Sequence, residues 1–110
     1  MTQIIIEKNH DSITSIECDG HTGYGVEGED IVCSALSSIV QTAVLGLMSV
    51  AGVDVKLTRD EERGYLKCTL PHDLEQSQRH DADVILSTMM CGIYDLREGF
   101  SDFIELEVKE

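Results

Sequence analysis

Between Ile31 and Val53 the chain carries no charged residue, although 26% of its residues are charged. A run of that length is long enough to cross a bilayer. Ser34, Ser37, Ser38, Gln41, Thr42 and Ser49 interrupt it, however, together with Gly46 and Gly52. Leu36, Ile39, Val40, Ala43, Leu47 and Val50 recur at helical spacing, so the run is read as a buried helix from about Asp30 to Val50. It is apolar on most sides, which calls for cover both from a sheet and from a further surface, such as a second subunit.

The remaining periodicities build a sheet for this helix to lie on. Thr2 to Lys8 is isoleucine-rich and is followed by the turn-forming Asn9-His10-Asp11, which predicts a hairpin into a second strand from Ser12 to Cys18. Val53, Val55 and Leu57 alternate with Asp54 and Lys56, as expected of a strand with one wet face. After the charged turn Arg59 to Gly64, Leu66, Cys68 and Leu70 alternate with Tyr65, Lys67 and Thr69. Ile104, Leu106 and Val108 alternate with Glu105 and Glu107. A second helix is predicted from Leu74 to Leu96, with Ala82, Ile85, Leu86, Met89, Ile93 and Leu96 on its apolar face and His80, Asp81, Asp83 and Arg97 off it. The order ββαββαβ implies an α+β fold: a mainly antiparallel five-stranded sheet covered by two helices, with residues 1–110 as one domain.

Charge narrows the partners. The 110 residues hold 21 Asp and Glu against 8 Lys and Arg, for a net charge of −13. Such a chain does not bind nucleic acid by phosphate neutralisation and is repelled by anionic membranes, whereas a basic protein suits it. Four cysteines without a CxxC pair, and an N-terminus without a signal-peptide pattern, point to reduced thiols in the cytoplasm. The histidines His10, His72 and His80 are expected to be exposed, and their spacing from the cysteines matches no zinc pattern, so neither metal nor cofactor is expected.

The chemistry is concentrated between the second strand and the first helix. Four of the nine glycines, Gly20, Gly23, Gly25 and Gly28, fall in Gly-His-Thr-Gly-Tyr-Gly-Val-Glu-Gly, residues 20–28. A backbone stripped of side chains there either turns sharply or lets another molecule approach. The segment lacks the Gly-Lys-Ser/Thr ending of a phosphate loop, and Glu27, Glu29 and Asp30 would repel a phosphate. Asp30 is expected as the helix N-cap, which places Cys33 in the first turn, where the positive end of the helix dipole favours the thiolate. His21, across the glycine segment, can act as its base. Ser37 follows Cys33 by one turn, either as a packing hydroxyl or as a supporting group. Cys18, Cys68 and Cys91 are read as buried small hydrophobes.

The stretch Gly20-His21-Thr22-Gly23-Tyr24-Gly25, followed by Gly28-Glu29-Asp30-Ile31-Val32-Cys33-Ser34-Ala35, resembles the motif of the ribosomal-processing cysteine proteases, the Prp family. The element order across the whole chain agrees with that family. The resemblance implies an endopeptidase that removes the N-terminal extension of a large-subunit ribosomal protein of the L-twenty-seven type and acts as a homodimer. It carries over His21 as base, Cys33 as nucleophile and Asp30 as the accompanying acid, with Gly20, Thr22, Gly23, Tyr24, Gly25 and Gly28 as the loop that receives substrate. Ser34 departs from the alanine common after the family's cysteine. Two other readings stay open on the residues alone: a thiol hydrolase acting on a small amide or thioester, and a non-enzymatic assembly factor that holds a basic ribosomal protein.

Overall fold

The computed structural model describes residues 2–20 and 29–110. Strands β1 (Thr2–Asn9) and β2 (Ser12–Gly20) form the expected hairpin. His10 at its tip takes the left-handed φ of 58°, a conformation that histidine, asparagine and aspartate tolerate better than most residues. Helix α1 (Glu29–Ser49) follows, then β3 (Lys56–Asp60), β4 (Tyr65–Thr69), helix α2 (Gln76–Gly99), a short 3-10 turn and β5 (Ile104–Lys109). The strand order across the sheet is β3-β4-β2-β1-β5. Three of the four pairings are antiparallel, but β1 and β5 run parallel. The sheet is therefore mixed, because α2 returns the chain to the far edge before β5 begins.

Period-two alternation buries one face of the central strands. Thr2, Ile4 and Ile6 of β1 are at most 1% exposed, while Gln3 and Ile5 between them are half-buried. Against this face lie Val32, Leu36, Val40, Ala43, Val44 and Leu47 of α1, and Ala82, Leu86, Met89, Met90 and Ile93 of α2, in one contiguous core. Each such Val, Leu or Ile contributes about 1.5–3 kcal/mol through removal from water. The helices also pack on each other reciprocally: Gly46 of α1 faces Ile85, and Gly92 of α2 faces Ile39. The uncharged run is therefore a core helix, although its stretch Ile31–Ser49 has a mean hydropathy of 1.9.

Several expectations need correction. Val50 is not in the core but 76% exposed, because α1 ends at Ser49 and Gly52 turns the chain at φ 65°. The third strand begins at Lys56 rather than Val53, and all five of its residues are exposed. Only Val53, ahead of the strand, is fully buried. The edge strand β3 projects past the helix layer, so alternation in sequence did not become a half-buried strand. Val108 at the end of β5 is likewise 45% exposed. Cys91 lies on the outer side of α2 and is exposed, unlike Cys18 and Cys68.

Gly20 marks the end of β2 and is required there by a close approach. A Cβ on Gly20 would stand 2.6–2.9 Å from three side-chain atoms of Thr2, its cross-strand partner. Thr2 is itself 1% exposed and has nowhere to move. Gly20→Ala is expected to destabilise the protein by about 1–3 kcal/mol through overpacking. Adding Thr2→Gly should recover part of that loss, read as the denaturation midpoint of the double variant against each single one.

Candidate active site

Cys33 is the fifth residue of α1 and is 7% exposed. In a helix each Cα–Cβ bond leans toward the N-terminus, so a residue at this position covers the turn before it. Ser37, half-buried, and Gln41, exposed, follow at four-residue steps and continue the same face of α1. All three line an open cleft of about 460 Å³ whose opposite side is made by Gly20, Glu61 and Gly64. The end of β2 and the β3–β4 turn thus face the start of α1.

That turn is tied to β2 by several bonds. The Gly20 N–H donates to the Gly64 carbonyl at 3.1 Å, extending the β2–β4 ladder beyond Tyr65. Arg63 donates to the Asp19 carboxylate at 2.7 Å and lies over the Tyr65 ring, 4.6 Å from its centroid. The Tyr65 hydroxyl donates to Glu17 at 2.7 Å, which raises the pKa of that hydroxyl. Gly64, at φ 71°, permits the reversal of the chain. Individually these exposed pairs are weak. Their effect is to hold the turn in register with the strand that leads into the glycine segment.

A second cleft, of about 230 Å³, adjoins the first and shares Ser37, Gln41, Glu61 and Gly64 with it. Its other lining residues are Cys18, Val40 and Leu66, and on the turn side Arg59, Asp60 and Tyr65. The combined groove is apolar where it meets the core and charged at its rim, a form suited to an extended chain.

Burial pushes the Cys18 thiol up to about 12, with the charge of Cys33 as the next cause and that of Asp19 third. Burial likewise pushes Cys68 up to about 11. Both stay protonated through the neutral range and are poor nucleophiles. Cys91 sits on α2, outside both clefts, which leaves Cys33 as the described cysteine that opens into a groove beside a helix start. Among the described residues, no group of three His, Cys, Asp or Glu side chains is placed to hold a metal.

Of the expected site residues, Cys33, Ser37 and Gly20 are brought together. Asp30 is the second residue of α1, because the helix starts at Glu29. It therefore does not occupy the N-cap position expected from the sequence. The backbone N–H groups that lack intrahelical acceptors are those of the turn ahead of Cys33. His21, Thr22, Gly23, Tyr24, Gly25 and Gly28 lie outside the described residues. Gln41, Glu61 and Gly64 were missed. Gln41 was legible as two helical turns from Cys33, whereas nothing in a charged turn indicates which strand end it will face.

Known proteins share this pattern and fold. The Bacillus subtilis (strain 168) protein named ribosomal processing cysteine protease Prp is 28% identical over 103 residues, which cover 93% of this chain and 92% of that protein. A Staphylococcus aureus (strain Mu50 / ATCC 700699) protein of the same name is 23% identical over 109 residues, 99% of each chain. Among solved structures, the S. aureus ribosomal processing protease Prp in complex with a substrate peptide has a TM-score of 0.87 at 23% identity and covers 99% of this chain and 100% of that one. A Streptococcus mutans protein also has a TM-score of 0.87, at 28% identity, covering 99% and 94%. The sequence pattern described as cysteine protease Prp matches residues 1–105, and the chain belongs to the Prp family of ribosomal-processing cysteine proteases.

Proposed function

We propose that this protease removes the N-terminal extension of a large-subunit ribosomal protein of the L-twenty-seven type by acyl transfer through Cys33 and His21. The observation that carries the reading is the shared cleft of Cys33 and Gly20, since Gly20 is the residue bonded to His21. In the first step Cys33 sulfur attacks the scissile carbonyl carbon while His21 holds the thiol proton. The N–H groups at the start of α1, ahead of Cys33, stabilise the oxyanion. His21 then gives its proton to the departing amine, leaving a thioester. Water, deprotonated by the same imidazole, attacks the thioester, and the acid product leaves as Cys33 regains its proton. Asp30 and Ser37 support this pair, and the segment from Thr22 to Gly28 receives the peptide. Reduced cysteines suit a cytoplasmic setting.

The groove supports a peptide more than a small amide or thioester, because its two adjoining clefts run along α1 from Cys33 to Gln41. Incubation with a ribosomal protein carrying its extension should shorten that protein at its N-terminus, read by intact mass. Cys33→Ala should abolish this, and Gln41→Ala should raise KM more than it lowers kcat. Binding of the ribosomal protein without mass loss would instead support the assembly-factor reading.

A net charge of −13 attracts a basic substrate over distances that salt screens. The value of kcat/KM is therefore expected to fall several-fold between low and high ionic strength, with kcat little changed. A salt-independent kcat/KM would remove charge steering from the account.

The outer side of the helix layer remains apolar. Leu45, Met48 and Val84 are 58%, 41% and 53% exposed, and beside them lies a groove of about 510 Å³ lined by Ile39, Ala43, Gly46, Ile85 and Met89. A second copy of the chain is the proposed cover. Sedimentation should give a dimer at micromolar concentration, and Val84→Glu should give a folded monomer; a monomeric parent would sink the proposal.

A further inference from the structure

Glu61 stands in the β3–β4 turn and lines both clefts of the groove. Apart from Cys33, it is the one described residue of the larger cleft with an ionisable side chain, and the opposite wall, from Ser34 through Ser37 and Ser38 to Gln41, offers only hydroxyls and an amide. Since α1 holds no charged residue after Asp30, that wall supplies no cation for the carboxylate.

The neighbouring acids are engaged in holding the turn. Asp60 accepts the Arg63 backbone N–H at 3.2 Å, while Asp19 takes the Arg63 guanidinium and Glu17 the Tyr65 hydroxyl, each at 2.7 Å. Glu61 serves the turn through its backbone instead: its carbonyl accepts the Gly64 N–H at 3.3 Å, a bond that any side chain leaves in place. Its own side chain is 85% exposed and, among the described residues, meets Arg59 through Oε1 at 3.2 Å. An exposed pair of this kind is weak, and a carboxylate accepts at both oxygens, so a second cation can join Arg59 or displace it.

We propose that Glu61 is a specificity-determining residue that receives a lysine or arginine side chain of the substrate, on the C-terminal side of the scissile bond. This rests on the reading of the groove as the place where an extended ribosomal protein is cut. The side follows from chemistry. A ribosomal protein binds RNA by neutralising phosphates, so its basic residues belong to the part that is kept and not to the extension that is discarded. In the acyl transfer the kept part is the departing amine, so Glu61 acts before the thioester forms and has no part in its hydrolysis. Attraction by the net charge of −13 is spread over the whole molecule, whereas Glu61 reads one position beside Cys33.

The test uses the whole protein and synthetic peptides that span the cleavage site, with each Lys or Arg C-terminal to the cut replaced in turn by Gln. In the parent, one such replacement should raise KM about three- to fivefold with kcat little changed. Glu61→Gln should raise KM by a similar factor for the unaltered peptide and should add nothing for the replaced one, and Glu61→Lys should prefer a peptide with Glu at that position. Glu107→Gln on β5, at the opposite edge of the sheet, removes the same charge and should leave these differences between peptides intact. Equal effects of Glu61→Gln and Glu107→Gln would overturn the proposal, as would independent effects of the Glu61 and peptide substitutions. A fall in kcat at unchanged KM would overturn it too, because Glu61 would then act on the catalytic pair. Binding of the same peptides to Cys33→Ala, with and without Glu61→Gln, reads the contact without cleavage. A parent that binds the peptides but does not cut them would refute the proteolytic reading, while Glu61 is judged by the binding.

Discussion

The packing of α1 against the inner face of the sheet fixes the geometry on which the rest depends. A helix turns by a constant angle per residue, so seating Val32, Leu36, Val40, Ala43 and Leu47 in the core also sets the direction of every other side chain on it. The adjacent stripe of Cys33, Ser37 and Gln41 is thereby aimed at the end of β2 and the β3–β4 turn. Several kcal/mol of burial hold that rotation, and no polar interaction in the groove is needed to orient the cysteine. In the proposed mechanism, this seats the nucleophile on a rigid element while its base belongs to the glycine segment.

On the other side of the groove the forces differ in kind. β3 is wholly exposed and contributes no core side chains. Its turn is held by backbone register, by the Gly20–Gly64 bond and by a short chain of charged contacts through Arg63, Asp19, Tyr65 and Glu17. Such contacts are individually small and are screened by salt. A firm helix wall thus faces a turn held by weaker contacts, and in the proposed mechanism the first carries the nucleophile while the second borders the bound peptide.

Much of the fold was legible because it follows local periodicity. The two helices, the β1–β2 hairpin and the alternation of Leu66, Cys68 and Leu70 all arise from burial on one side of an element, which leaves a repeat in the sequence. The failures occurred where burial depends on where an element ends up. Val53, Val55 and Leu57 alternate like a half-buried strand, yet only Val53 is fully buried, Val55 packs against the core's margin and Leu57 is exposed, because β3 runs off the edge of the helix layer. Cys91 resembles its apolar neighbours in type but falls on the outer side of α2. The parallel β1–β5 pairing was invisible for a related reason: strand direction is decided by the path of the connecting helix, and the alternation of β5 is the same in either direction.

The same division holds at the active site. Residue types and short spacings marked the glycine segment, Cys33 near a helix start and Ser37 one turn on, because dipole, nucleophilicity and helical repeat are local properties. Gly20 was visible as a glycine, but its necessity became evident only from Thr2 pressed against it across the hairpin. That Cys18 and Cys33 line adjoining clefts, and that Glu61 and Gly64 close the groove, required the tertiary structure. These groups are separated along the chain and meet only when strand register and helix seating are satisfied together, and no local repeat in the sequence records such a meeting.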